Sequence, residues 1–76
     1  MNTVQKYFRL NSKHMAYLKS IVESYEGLAV LRTVDPEKGI IEWMIPPDRL
    51  EDAEELINSL REEIPIEAVK PPGTPT

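Results

Sequence analysis

Three observations predict an α+β sandwich of the ferredoxin-like βαββαβ kind. Apolar residues recur with period two, then three to four, then two, two, three to four, and two again. Glycine and proline fall at the joints between these segments, and almost no chain is left over. The expected architecture is a four-stranded antiparallel sheet with two helices on one face. Right-handed crossovers give the strand order 4-1-3-2, with the first and third strands central.

The first strand is read over Val4 to Leu10. Val4, Phe8 and Leu10 share one parity, with Lys6 as a rim exception, while Gln5, Tyr7 and Arg9 point the other way. Asn11 or Ser12 then caps the first helix, because a short side-chain oxygen accepts from a free backbone N–H. That helix is read from Lys13 to Glu26 with Met15, Leu18, Val22 and Tyr25 as its apolar stripe. Gly27 follows, where a helix end calls for positive φ.

Leu28 to Val34 and Ile40 to Ile45 read as a hairpin around Asp35-Pro36-Glu37-Lys38-Gly39. Pro46-Pro47 ends the third strand because proline cannot donate to a ladder. Asp48 is the expected cap of the second helix, with Glu51 completing a capping box. Ala53, Leu56, Ile57, Leu60 and Ile64 form that helix's apolar stripe. The fourth strand is read over Ile64 to Val69, at an edge because of Pro65. One domain over residues 1–70 and a disordered proline-rich tail over 71–76 are expected.

With 76 residues, such a domain buries only about 60% of its unfolded surface and needs good packing, a staple or self-association. Cysteine is absent and there is one histidine, which excludes disulfides and thiolate metal sites. No cofactor and no metal are expected. A net charge of -4 argues against a nucleic-acid partner, which needs a basic face. No apolar run nears the ~20 residues of a membrane span, and Met1 to Lys6 lack a signal peptide's apolar centre. A cytoplasmic protein without a membrane partner is expected.

Because the helices cover one face, the other lies open. Glu42 does not suit a core, so Ile41, Trp43 and Ile45 are placed inward and Ile40, Glu42 and Met44 outward. On the second strand Ala29, Leu31 and Thr33 are placed inward, and Leu28, Val30 and Arg32 outward. The candidate interface is therefore Tyr7, Arg9, Val30, Arg32, Ile40, Glu42 and Met44, a surface on which a homodimer is expected to form.

The segment Glu23 to Leu28, with Arg32-Thr33-Val34-Asp35, Gly39 and Ile45-Pro46-Pro47, resembles a family of short uncharacterised bacterial proteins, a domain of unknown function. The resemblance spans residues 6 to 68 and implies no activity. The family's architecture is similar to that of ACT domains, small-molecule sensing modules. That similarity implies a ligand site at the turn after the first strand, here Asn11, Ser12, Lys13 and His14. The glycine or proline common in that turn of ACT sensors is absent, leaving a small anionic metabolite as the implied ligand.

Val4-Gln5-Lys6-Tyr7-Phe8-Arg9 also resembles the first-strand pattern of acylphosphatases, but it is one residue short and lacks the glycine. RNA-recognition domains share the topology, yet the third strand lacks their basic-glycine-aromatic signature and carries Glu42 where phosphates would lie. No nucleophile–base pairing is readable around His14 or the acidic residues Glu51, Asp52, Glu54 and Glu55. The function expected is a non-enzymatic, self-associating interaction module, with metabolite sensing as the alternative.

Overall fold

The computed structural model describes residues 3–71. Strand β1 (Val4–Arg9) leads through a 3-10 turn (Ser12–His14) into helix α1 (Met15–Glu23). Strands β2 (Val30–Asp35) and β3 (Ile40–Ile45) follow as a hairpin. A second 3-10 turn (Pro47–Arg49) opens helix α2 (Leu50–Glu63), and β4 (Glu67–Val69) closes the sheet. The strand order is β2-β3-β1-β4 with every neighbour antiparallel, as the periodicities predict. Of the tail expected over 71–76, all but Pro71 lies outside the described residues.

One face of the sheet makes the core. Phe8 pairs with Ile41 across β1 and β3, and Val4 with Ile45. Leu18 and Val22 of α1 and Ala53, Ile57 and Leu60 of α2 close over them. Each of these side chains larger than alanine contributes about 1.5–3 kcal/mol by leaving water, most of it offset by the entropy of ordering. Trp43 is 1% exposed and meets Phe8 edge-on, with centroids 6.0 Å apart at 69°. Lys6 shares the core parity but stands at the rim, where its Nζ lies 3.4 Å from Glu54 of α2.

Element ends depart from the sequence reading, each for a local reason. Helix α1 stops at Glu23, not Glu26. The N–H of Ser24 is shared between the carbonyls of Ser20 and Ile21, and that of Tyr25 bonds to Val22. This tighter winding uses up the last turn. Tyr25 thus leaves the apolar stripe and is 49% exposed. Gly27 then reverses the chain at φ 71°, as expected.

Leu28, placed outward by strand alternation, is buried in the core at 1% exposure. Its N–H still bonds back to Tyr25, so the chain drops Leu28 between helices and sheet before the ladder begins at Val30. Thr33 has the expected parity, opposite Ile41, but remains exposed on an edge strand.

Asp48 does not cap α2, and the capping box with Glu51 is not formed. Pro47, suited to the first position of a helical turn, starts the winding a residue early. Asp48 therefore sits inside that turn, and neither Pro46 nor Arg49 caps through its side chain. Strand β4 has three residues rather than six. Ile64 still donates its N–H to Leu60 as the end of α2, and Pro65 has no N–H to give a ladder.

Candidate functional site

The β-register assembles the helix-free face. Tyr7 of β1 lies opposite Glu42 of β3, which lies opposite Arg32 of β2. Val69 of β4 extends this row beyond Tyr7. Gln5, Met44 and Val30 form a parallel row, and Glu67, Arg9 and Ile40 another. All seven residues expected at the interface therefore lie on one face. Their exposure is uneven. Val30 is 63% exposed at the sheet edge, whereas Tyr7, Ile40 and Met44 are half-buried.

Glu42 has the expected orientation but an unexpected depth, at 2% exposure. It stands on a central strand, flanked across the ladder by Tyr7 and Arg32 and along it by Ile40 and Met44. The Tyr7 hydroxyl donates to Glu42 Oε2 at 2.5 Å. Arg32 Nη2 stands 3.0 Å from Oε1. That approach is an ion pair without an aligned N–H, so Oε1 has no hydrogen-bond donor among the described residues. Taking a carboxylate out of water costs several kcal/mol, and the guanidinium and phenol are what offset it here. Arg9 Nη2 pairs with Glu67 Oε1 at 2.5 Å in the open, where such a pair contributes little.

The hydrogen bond to Glu42, then burial, then the charge of Glu42 raise the Tyr7 phenol above its ordinary 10.0, against the pull of Arg32. Tyr17 is raised likewise, first by its hydrogen bond to Glu63. A phenol that holds its proton more tightly when folded adds stability that is whole below its unfolded pKa. That stability is lost as pH rises through the folded value. Melting temperature should therefore fall above about pH 10. The double variant Tyr7→Phe/Tyr17→Phe should show a shallower fall in a melting series. An unchanged slope would remove the phenols from the account.

The four residues expected to hold a ligand are not brought together. Asn11 and Ser12 line an open cleft of about 760 Å³ with Arg9, Lys38, Gly39 and Pro65, but Lys13 and His14 do not. Asn11 Oδ1 accepts from the N–H of Lys13 at 3.0 Å, the capping role its residue type suggests. The acidic residues of α2 form no group able to hold a metal among the described residues. No described helix is long and apolar enough to cross a membrane.

The family model of DUF4911, a domain of unknown function, matches residues 8–64. The chain belongs to this family. No curated protein and no solved structure matches it. The DUF4911 match runs from Phe8, near the end of β1, to just past the end of α2. It takes in Arg32 and Glu42 but stops short of Tyr7, Glu67 and Val69. Glu67 and Val69 belong to the open face and were not legible from the sequence. A three-residue strand after a proline takes its register from pairing with β1, which no local pattern encodes.

Proposed function

We propose that this DUF4911 chain is a small, non-enzymatic interaction module that self-associates through the helix-free face of its sheet. The observation that carries this reading is charge cancellation within the face. Arg32 is paired with Glu42 and Arg9 with Glu67, so a second copy could cover the face without stranding a charge. Val30, Ile40, Met44 and Val69 supply the apolar contact around these pairs. The surplus negative charge lies elsewhere. Helix α2 carries Glu51, Asp52, Glu54, Glu55, Glu62 and Glu63 against Arg61 alone, and face-to-face association keeps these acidic helices apart.

Light scattering behind size exclusion tests the proposal over a wide concentration range. A mass of twice 8.7 kDa is expected. Val30→Glu, on an already exposed side chain, should return a monomer with an unchanged far-ultraviolet circular dichroism spectrum and a melting temperature that no longer rises with concentration. A wild-type monomer at hundreds of micromolar would sink the reading. The alternative, sensing of an anionic metabolite at the turn after β1, has weaker support. The oxygen of Asn11 already serves the 3-10 turn, and Lys13 and His14 do not line the cleft.

A further inference from the structure

A second surface lies on the opposite side of the molecule. Helices α1 and α2 run antiparallel and leave a groove of about 530 Å³ between them. Its apolar floor is the half-buried Ile21 of α1 and Leu56 of α2, with Leu28 and Leu60 buried beneath them. Two polar bridges mark its ends. The Tyr17 hydroxyl donates to Glu63 Oε1 at 3.0 Å at one end. At the other, Arg49 donates from Nη1 to the Glu26 carbonyl at 3.3 Å and from Nε to Asp52 at 3.2 Å. Between Asp52 and Glu63 the groove follows roughly 17 Å of helix, about three turns.

Its rim is acidic and aromatic. Asp52, Glu55 and Glu63 border it, and Glu55 makes no ion pair among the described residues. Tyr17 and Tyr25, at 44% and 49% exposure, are two of the three exposed large apolar side chains among the described residues. A second copy does not fit here, because it would bring the same acidic α2 against this one.

We propose that the α1–α2 groove docks a cationic amphipathic helix of a partner protein. Apolar residues at three- and four-residue spacing would lie on Ile21 and Leu56, as helices do in apolar grooves. Flanking lysines or arginines would meet Glu55 and Glu63 and stack on the exposed tyrosine rings. The inference goes beyond self-association and does not depend on it, since the sheet face and the groove lie on opposite sides.

The test uses the full chain, labelled with ¹⁵N, and a synthetic amphipathic peptide of about 14 leucines and lysines. Shift changes are expected at Ile21, Tyr25, Leu56 and Ser59, weakening with salt. The same peptide with glutamate for lysine should not bind. Glu55→Lys, on the rim, should weaken binding about tenfold, and Glu51→Lys, on α2 outside the groove, by less than about threefold. Equal losses from the two variants would mean general attraction to an acidic protein and would overturn the proposal. So would shifts mapping to Tyr7, Val30 and Met44, binding of the glutamate peptide, or no binding at all.

Discussion

Gly39→Ala is expected to cost this domain about 3–4 kcal/mol, against a total stability on the order of 4–11 kcal/mol for its length. Two effects add. Gly39 sits at φ 72°, where an L side chain costs roughly 1–2 kcal/mol. A Cβ built there would also lie 2.2 Å from the carbonyl oxygen of Leu10. That neighbour is backbone and cannot rotate away. Its own N–H donates to the Gly39 carbonyl at 3.0 Å, so relief of the clash disturbs the bond that ties the hairpin loop to the end of β1. Gly27 is the control. It has nearly the same φ, 71°, but the nearest atom to its Cβ is Arg49 Nη1 at 3.9 Å. Gly27→Ala should therefore show the strain alone, about 1 kcal/mol. In a thermal melt the two variants should fall by roughly 15 °C or more and roughly 5 °C respectively. Equal falls would show that the Leu10 contact yields easily.

Gly39 also shows which features the sequence reveals. A glycine closing an Asp-Pro-Glu-Lys-Gly loop announces a turn, and its positive φ follows from residue type. The contact with Leu10 does not follow, because it joins residues 29 positions apart through the β1–β3 register. The same division runs through the fold. Element order and the faces of β1 and β3 follow from local period, and they are found as read. Element ends depend on competition over single hydrogen bonds. Ser24 and Tyr25 tighten α1 to a close, and Pro47 takes the opening position from Asp48. For Glu42, alternation gives the side of the sheet but not the depth. Depth comes from Tyr7 and Arg32 arriving on either side, from strands 35 and 10 residues away.

The Tyr7–Glu42–Arg32 row yields the second large effect. Arg32→Leu should destabilise the domain by about 2 kcal/mol, although the Arg32 side chain is 65% exposed and an exposed ion pair contributes little. The asymmetry arises from the partner. Glu42 is 2% exposed, so removing the guanidinium leaves a desolvated carboxylate with only the Tyr7 hydroxyl to meet it. Removing the carboxylate instead lets Arg32 return to water, where it is already largely placed. Met fills much of the same shape as Glu without a charge. The double variant Arg32→Leu/Glu42→Met should therefore regain most of the loss and end within about 1 kcal/mol of the parent. Chemical denaturation of the parent, both single variants and the double variant closes the cycle. If the double variant is no more stable than Arg32→Leu alone, the cost lies in lost packing of the Arg32 stem rather than in a stranded charge. Recovery in the double variant would mean that the fold does not require the ion pair. The pair would then bear on the proposed self-association rather than on the fold.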